Sequence, residues 1–468
     1  MQDFLHASHD EILEAVERFE RMINTEKVVY FDVHQVENIY EFYLDKSLFN
    51  QAGHILEIGL EQHPQATGLL VKQASLFADQ GKINQAYEIL MRVAPIENTN
   101  PDVFITLGWI MLQKTDLKAA LTFFNKAADL AFEDDKDILM EIAYNLSQEE
   151  AYAESIVFLE RLLEKYPEHE NALFELAFAQ DKVFEYPKSI ASYERLLSIN
   201  PFSENAWYNA GILYSKLEQY TKASQAYDYT LAINPEHSEA YFNKGNSLMH
   251  HGCYKEALDA YIEHVTFSSD TALTYQYIAD CWEQMGDYEM AIRFYQLVIK
   301  EFPQHADAWY GIGTALMENK NFTGGLQAID QAITNNPLNA DYWFAHARGL
   351  FELDKAEDAT RSLENGLNID PDEVTGWFEL LKLKVVLDSD FDILGYINKL
   401  SKQYQDTAAI HYLSAVAHFH FLKNTKAAIK ALKVAIALDE EGLKCIEEDY
   451  PALLEEKEIK TLLQCKTK

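Results

Sequence analysis

A chain of 468 residues is too long to fold around one ordinary hydrophobic core, but an array of repeats avoids that limit because each unit packs only on its neighbours. The chain carries 39 Lys and Arg residues against 75 Asp and Glu residues, for a formal net charge of −36. A general nucleic-acid binder or a protein that adheres to anionic lipid needs a basic face, so this charge disfavours both classes.

The cysteines and apolar runs bear on where the chain resides. Its four cysteines lie far apart without a C-x-x-C pair, so we expect reduced thiols and a cytoplasmic location rather than a disulfide scaffold. The N-terminal segment lacks the basic region and the apolar run of a secretory signal. No stretch approaches roughly 18 apolar residues, so we expect no membrane span.

A single pattern organises most of the chain. Residues 1–32 predict an N-terminal capping helix, because apolar residues recur with helical spacing between Glu11 and Asn24. The pattern then fills residues 33–440, most regularly 67–371, and residues 441–468 predict C-terminal capping helices, split at Tyr450-Pro451, and a tail. Its copies are 34 residues apart in nine of eleven steps and 35 in the other two, and they begin at Val33, Thr67, Pro101, Lys136, Glu170, Glu204, Ser238, Ala272, Ala306, Ala340, Val374 and Ala409.

The clearest copy runs from Glu204, which defines position 1, to His237. Large and small residues alternate in it as two packed antiparallel helices require. Position 8 is small from the second copy to the tenth, and position 20 is small in every copy except the eleventh, which has Ile393. The key residues of the clearest copy are Trp207 (position 4), Ala210 (7), Gly211 (8), Tyr214 (11), Ala223 (20), Tyr227 (24) and Pro235 (32).

This order of residues resembles the tetratricopeptide repeat, which has Trp, Leu, Gly and Tyr in its first helix and Ala, Phe and Pro in its second. The resemblance covers roughly residues 33–440 and reaches the repeat class only. It implies an all-α fold, a right-handed superhelical α-solenoid of about twelve helical hairpins with terminal capping helices. It also implies protein–protein interaction, with the first helices lining a concave groove that binds an extended peptide or a partner helix.

Two places in the array predict local irregularity. Gly324 and Gly325 fall together in the second helix of the ninth copy. Gly325 has a packing reason at position 20 and Gly324 has none, so we expect a soft joint there. The extra residue and bulky Ile393 of the eleventh copy are expected to disturb the superhelix or to start a separate C-terminal face.

Catalytic motifs are missing from the sequence, since we find no phosphate-binding loop, no nucleophile elbow and no zinc-protease motif. The tightest donor cluster contains His250, His251, Cys253 and His264. Because His264 lies ten residues further on, along the second helix, we interpret the cluster as an irregular seventh copy rather than a zinc site. We therefore predict no catalytic residue, no metal and no cofactor, and hence no enzyme.

Positions 2, 5, 6, 9, 12 and 13 of each first helix are expected to line the groove. In the middle of the array they carry aromatic rings with carboxamides between them. Rings give contact area at low entropic cost, and Asn can bond both polar groups of a peptide backbone. The competing interpretation is that some rings pack beside the next helix. The predicted groove residues are Phe174, Tyr208, Asn209, Phe242, Asn243, Asn246, Tyr277, Asp280, Tyr310, Phe344 and Arg348.

Charge narrows the class of partner. Arrays that bind the C-terminal carboxylate of a chaperone need Lys and Arg around a central Asn. Asn209 and Asn243 match that Asn, but the neighbouring copies lack the cations. We therefore predict no carboxylate clamp. We expect instead a protein or peptide partner with basic and apolar residues. The acidic residues behind this expectation are Asp280, Glu283, Asp307, Glu318, Asp341 and Glu352.

Together these features predict a non-catalytic protein–protein interaction scaffold or adaptor that binds its partner in the groove. The alternative is a peptide-sensing regulatory or chaperone-like protein of the same repeat class. Such a protein usually carries an output domain, and the sequence shows none. RNA binding by helical repeats is disfavoured by the charge.

Overall fold

The computed structural model describes residues 9–25, 28–131, 135–268, 271–404, 406–456 and 459–460. Every regular element in these ranges is helical, and successive helices pair into hairpins, so the predicted all-α solenoid is confirmed. The chain divides into two compact units, Met1–Gln219 and Tyr220–Lys468, each described here by itself.

The first unit contains twelve helices in its described residues. One helix precedes a series of hairpins, each made of a first and a second helix joined by a short turn. The bounds are α1 His9–Thr25, α2 Val33–Asp45, α3 Phe49–Gln62, α4 Thr67–Asp79, α5 Ile83–Val93, α6 Pro101–Gln113, α7 Leu117–Leu130, α8 Asp135–Gln148, α9 Tyr152–Lys165, α10 Glu170–Lys182, α11 Tyr186–Ile199 and α12 Glu204–Lys216.

The second unit continues the alternation and ends in two short helices. Its described residues form fifteen α-helices and one π-helical turn, Ala417–Phe421. The bounds are α13 Tyr220–Ile233, α14 Ser238–His250, α15 Tyr254–Phe267, α16 Ala272–Gln284, α17 Tyr288–Glu301, α18 Ala306–Glu318, α19 Phe322–Asn335, α20 Ala340–Glu352, α21 Ala356–Ile369, α22 Val374–Leu387, α23 Ile393–Gln403, α24 Ala408–Val416, α25 Thr425–Leu438, α26 Leu443–Asp449 and α27 Pro451–Leu454.

The helix bounds confirm the predicted period. A first helix begins at the predicted residue in ten of twelve cases and one residue earlier in the other two, at Asp135 and Ala408. Eight second helices are followed by proline, and each ends two residues before it, as α11 does before Pro201. Proline lacks the N–H that would continue a helix and disfavours the helical conformation of the residue before it.

Position 8 is small because a large side chain at position 24 of the second helix lies against it. A Cβ atom built on Gly108 would lie 2.4 Å from the Phe124 ring, and one built on Gly245 would lie 2.5 Å from the Tyr261 ring. Both rings are fully buried. The small residue and the large residue therefore form one contact, which explains why they alternate in the sequence.

The turn inside nearly every hairpin contains one residue in the left-handed region of backbone conformation. Position 15 has a φ between 56° and 80° in eleven turns, and the turn between α22 and α23 is the exception among the described residues. Only Gly81, Gly252 and Gly286 of these eleven residues are glycines. A left-handed conformation costs an L-residue about 1–2 kcal/mol, so the other eight turns hold backbone strain.

Replacing Lys320 by glycine should raise the free energy of unfolding by about 0.5–1 kcal/mol relative to Lys320→Ala. Glycine adopts the φ of 61° without the steric cost that alanine retains, although its freedom in the unfolded chain offsets part of the gain. Lys320 is exposed in the turn between α18 and α19, so neither substitution removes a packed side chain. Urea unfolding midpoints measure the difference, and equal midpoints would contradict it.

Four joints between successive hairpins contain the same hydrogen bond, which we call the Trp–Pro clip. The indole N–H at position 4 donates to the carbonyl of the proline six residues earlier. This proline therefore ends one helix and supplies the acceptor for the next. The pairs are Trp207 with Pro201 (2.9 Å), Trp309 with Pro303 (2.9 Å), Trp343 with Pro337 (3.0 Å) and Trp377 with Pro371 (2.8 Å).

The eleventh hairpin is irregular, as predicted. Its first helix runs on to Leu387, and its second helix begins only at the half-buried Ile393. The first helix that follows, α24, continues into the π-helical turn Ala417–Phe421. The predicted effect of this hairpin on the superhelix stays a prediction.

Gly324 has a packing reason that the sequence analysis missed. It lies in the first turn of α19, where Asn321 caps the helix by accepting a hydrogen bond from the Gly324 N–H at 3.1 Å. A Cβ atom on Gly324 would lie 2.8 Å from Asn321 Nδ2. The premise of an unsupported glycine in a helix interior is therefore wrong, and the expected soft joint loses its basis.

The two ends of the chain are described in part. The predicted break at Tyr450-Pro451 is confirmed, since α26 ends at Asp449 and α27 begins at Pro451. Residues 1–8 of the predicted N-terminal cap and residues 461–468 of the predicted tail lie outside the described residues. No helix within the described ranges is both long and apolar enough to cross a bilayer.

The cysteines within the described ranges are free thiols. They are Cys253, Cys281 and Cys445, whereas Cys465 lies outside those ranges. Burial raises the pKa of the Cys281 thiol to about 12, so this group stays protonated at neutral pH.

Candidate binding surface

The predicted binding residues occupy corresponding places on the first helices. We use the name first-helix face for positions 2, 5, 6, 9, 12 and 13 of the first helix in each hairpin. Three of the predicted residues belong to the first unit and eight to the second. Apart from Arg348, which is exposed, all are half-buried, so each divides its surface between a neighbouring helix and solvent.

In the first unit, aromatic rings surround a cleft of about 360 Å³. Tyr144, Phe174 and Phe178 line it together with the carboxyl group of Glu175. The Phe174 ring also packs edge-on against the Tyr193 ring, with the centroids 5.7 Å apart. Phe174 therefore belongs both to the hairpin packing and to an open surface.

Two of the predicted carboxamides bind buried tyrosine hydroxyls of the chain itself. Asn209 Nδ2 donates to the Tyr193 hydroxyl at 3.1 Å in the first unit. In the second unit, the Tyr261 hydroxyl donates to Asn246 Oδ1 at 2.7 Å. Asn209, which follows the half-buried Tyr208, thus satisfies a polar group inside the fold, and Asn246 does the same. Each half-buried amide has further hydrogen-bonding capacity.

A compact aromatic cluster forms the start of the first-helix face in the second unit. Tyr261 and Tyr277 stack with centroids 5.4 Å apart, and Phe242 packs edge-on against Tyr277 at 5.4 Å. His264 joins the cluster at 5.2 Å from Phe242, and its Nδ1 lies 2.9 Å from the Thr274 hydroxyl. These contacts account for the large His264 side chain at position 27. Among the described residues, no group of three or more His, Cys, Asp or Glu side chains is arranged to hold a metal ion.

Position 9 supplies the acceptor for the tyrosine at position 24 in two successive hairpins of the second unit. In the hairpin of α14 and α15, the Tyr261 hydroxyl donates to Asn246. In the hairpin of α16 and α17, the buried Tyr295 hydroxyl donates to Asp280 Oδ1 at 2.5 Å. The same structural task is performed by a neutral amide in one hairpin and by a carboxyl group in the next.

Asp280 lies among other acidic groups. Burial raises the pKa of Asp280 to about 6, with a further rise from Glu283 and Asp307, although the hydrogen bond from Tyr295 lowers it. The Tyr295 hydroxyl also lies 2.9 Å from Glu283 Oε2, and the Thr314 hydroxyl donates to Glu283 Oε1 at 3.0 Å. Two hydroxyls thus hold the pair of carboxyl groups in place on the face.

Five carboxyl groups in the described part of the chain have a raised pKa, and all five lie on the first-helix face. Desolvation by the surrounding protein is the largest cause in each case. Because desolvating a carboxylate opposes folding, a cation that approached this face would recover part of the lost free energy. The five residues are Asp79 at position 13, Glu141, Glu175 and Glu379 at position 6, and Asp280 at position 9.

Four of these five carboxyl groups were missed by the sequence analysis, which singled out Asp280 alone. Position 6 holds the predicted residues Asn209, Asn243 and Tyr277, and in other hairpins it holds three glutamates with a raised pKa. The position number is the signal in the sequence that could identify these glutamates, because position 6 is expected to line the groove. A lone glutamate on a helix is usually solvated, so its residue type alone does not indicate a desolvated carboxyl group.

Three predicted residues of the second unit converge on one cleft. Tyr310, Phe344 and Arg348 line a space of about 310 Å³ together with the carboxyl groups of Asp341 and Glu379. The rings come from α18 and α20, and Glu379 comes from α22. Three consecutive first helices therefore contribute to it.

Family comparison agrees with the repeat pattern. Residues 208–270 and 284–349 match family models described as tetratricopeptide repeat. No curated protein matches the chain.

Solved structures of repeat proteins are similar to parts of the chain. YrrB, a TPR protein with an unusual peptide-binding site, shares 18% identity over 41% of this chain and 97% of its own, with a TM-score of 0.35. A tetratricopeptide repeat protein from Parabacteroides merdae ATCC 43184 shares 18% identity over 53% of this chain and 98% of its own, with a TM-score of 0.39. PilW, a type IV pilus biogenesis factor, shares 19% identity over 47% and 98%, with a TM-score of 0.38. Likeness at this level says nothing about the partner of this chain.

Proposed function

Because this chain is a tetratricopeptide-repeat protein, we propose that it is a non-catalytic cytoplasmic scaffold or adaptor that binds a protein partner on its first-helix face. Tetratricopeptide-repeat proteins bind protein or peptide partners. The helices outside residues 33–440 would cap the array. The proposed contact residues are Phe174, Tyr208, Asn209, Phe242, Asn243, Asn246, Tyr277, Asp280, Tyr310, Phe344 and Arg348.

The carboxyl group of Asp280 is the observation that carries this proposal. The Tyr295 hydroxyl needs only an acceptor, and Asn246 shows that a neutral amide at the same position performs this task for Tyr261. Asp280 instead has a charge that its surroundings disfavour, since burial raises its pKa to about 6. A charge that the fold does not require, and that reduces its stability, is best explained by a binding role.

The chemistry of the face favours a partner with basic and apolar residues. Half-buried rings at Tyr277, Tyr310 and Phe344 offer apolar contact, and a cation can also stack on their faces. The desolvated carboxyl groups would attract Lys or Arg and repel phosphate, which disfavours nucleic acid. They would equally repel the C-terminal carboxylate of a chaperone.

Selection of a displayed library of random 12-residue peptides on the full chain tests the proposal. We expect the enriched peptides to lose at least tenfold in affinity when two acids of the first-helix face are reversed in Glu318→Lys/Glu352→Lys. Both residues are exposed at position 13, of α18 and α20 respectively, so the change acts on charge rather than on packing. Fluorescence anisotropy of labelled peptides measures the affinity.

The matched control is Glu289→Lys/Glu357→Lys, which makes the same change of charge on the second helices α17 and α21. Both glutamates are exposed, and each is the second residue of its helix. We expect this control to change affinity by less than about threefold, because distant exposed charges are screened by salt. Equal losses in the two double variants, or a library without binders, would refute binding on the first-helix face.

A further inference from the structure

We propose, resting on the function proposed above, that the second unit holds a pocket for a lysine or arginine side chain of the partner, with an adjoining cleft for a nearby aliphatic side chain. The pocket, which we call the cation cleft, lies on the first-helix face between Tyr310, Phe344 and Glu379. The adjoining space, the apolar cleft, lies beside it between Phe351 and Leu383.

The shape of the cation cleft suits one long side chain. Its volume of about 310 Å³ corresponds to about ten water molecules, at the lower limit for small-molecule pockets. The rings of Tyr310 and Phe344 form part of its wall. Lys and Arg place an aliphatic stem along such rings and can bring their charge over a ring face.

The charge of the cation cleft selects a cation. Asp341, Glu373 and Glu379 line it, and Arg348 is the one basic residue among the lining side chains. Arg348 has a carboxylate partner of its own, Glu318, at 3.3 Å. The lining therefore keeps an excess of negative charge, and desolvation raises the pKa of Glu379, as expected of an acid that lacks full compensation.

The apolar cleft would bind the aliphatic side chain that lies near the Lys or Arg of the partner. Its volume is about 260 Å³, and Phe351, Leu363 and Leu383 supply its apolar lining. Phe351 is 56% exposed, so more than half of its surface is open to contact with a partner. The two clefts share Arg348 and Glu379, so a peptide whose cation enters one places a neighbouring side chain in the other.

A double-mutant cycle on the peptides selected above tests the pocket. Each Lys or Arg of a bound 12-residue peptide is replaced by Gln, and the full chain carries Glu379→Gln. We expect one basic peptide residue whose loss weakens binding at least tenfold to the natural chain and less than threefold to Glu379→Gln. That fold-change difference is the coupling between the two groups.

The matched control is Glu357→Gln, the same substitution at an exposed glutamate of the second helix α21, outside the first-helix face. It should leave the tenfold effect of the peptide change intact, and circular dichroism should show all variants folded. Peptides that bind the first-helix face without any basic residue coupled to Glu379 would overturn the pocket while leaving the scaffold function in place. Peptides that are insensitive to the reversal of Glu318 and Glu352 would overturn both.

Discussion

Asp280→Asn is expected to stabilise the folded chain by about 3 kcal/mol above pH 7, although it removes a charge that we assign to binding. The amide keeps an oxygen for the Tyr295 hydroxyl, as Asn246 does for Tyr261. The substitution removes the desolvation cost and the repulsion from Glu283 that raise the pKa of Asp280 from 3.8 to about 6. A rise of that size corresponds to about 3 kcal/mol at 1.36 kcal/mol per pH unit.

The pH dependence of this effect has a definite sign. The folded chain binds a proton at Asp280 near pH 6, and the unfolded chain does so near pH 3.8, so the folded state holds more protons between these values. The contribution of Asp280 to stability therefore falls as the pH rises from about 4 to about 6. The advantage of Asp280→Asn should grow over the same interval, from almost nothing to its full value.

Urea unfolding of both proteins from pH 4 to pH 8 measures this profile. The reciprocal substitution, Asn246→Asp, is the control, because it places a carboxyl group opposite the Tyr261 hydroxyl at the corresponding position. It should destabilise the chain at neutral pH and introduce a similar dependence. If Asp280→Asn lowered stability at neutral pH, the charge would have to be counted as structural.

The same variant should bind basic peptides at least tenfold more weakly at neutral pH, since an amide attracts no cation. The affinity of the natural chain should fall as the pH drops through 6, where Asp280 becomes protonated. Glu283, Asp307 and Tyr295 are the other titratable groups that act on Asp280, and they remain in the variant. A gain in stability with a loss of binding is the combined outcome that distinguishes a binding residue from a structural one.

Gly245→Ala is expected to lower the free energy of unfolding by up to about 2 kcal/mol, against the usual preference of helices for alanine. The new Cβ atom would lie 2.5 Å from the ring of Tyr261. That ring is fully buried, bonded through its hydroxyl to Asn246 and stacked on Tyr277, so it has nowhere to move. Overpacking of about 1–3 kcal/mol then exceeds the gain in helix propensity of about 1 kcal/mol.

The control for Gly245 is the same substitution at Gly68, in the first turn of α4. The nearest atom to a Cβ there is Oε1 of Glu37, at 3.2 Å, the end of a flexible side chain. Gly68→Ala should be neutral or stabilising by up to about 1 kcal/mol. Thermal unfolding of both variants tests the difference in sign, and two stabilising substitutions would show that the Tyr261 ring can yield.

The sequence predicts the repeat unit well because one contact controls several positions at once. The pairing of Gly245 with Tyr261 needs one small and one large residue at fixed spacing, and position 8 is small from the second copy to the tenth. Pro201 likewise marks a helix end that can be read directly, since proline interrupts any helix. Because several positions carry the same signal, the sequence predicts the start of each first helix to within one residue.

The strained turns could not be predicted in the same way. Position 15 is left-handed in eleven turns, yet residues such as Phe184 and Lys320 rarely adopt that conformation by themselves. The conformation recurs at one position of the hairpin with many residue types, so the residue type alone does not predict it. Glycine appears there only three times.

The candidate site was predicted only in part, for a related reason. Sequence spacing puts Asn246 and Asp280 on the first-helix face, but it does not show which buried hydroxyl each one meets. The bonds to Tyr261 and Tyr295 appear only when both helices of a hairpin are placed. These bonds show that the fold needs a hydrogen-bond acceptor at both positions. Asn246 provides one without a charge, so the charge of Asp280 is not needed for the bond.

The Trp–Pro clip has a consequence for how such a chain lengthens during evolution. Donor and acceptor lie six residues apart in one continuous segment, as in Trp309 and Pro303 or Trp343 and Pro337. A gene duplication that copies one 34-residue unit with its leading segment therefore copies both partners of this hydrogen bond. Each added hairpin then carries the donor and the acceptor of its own clip.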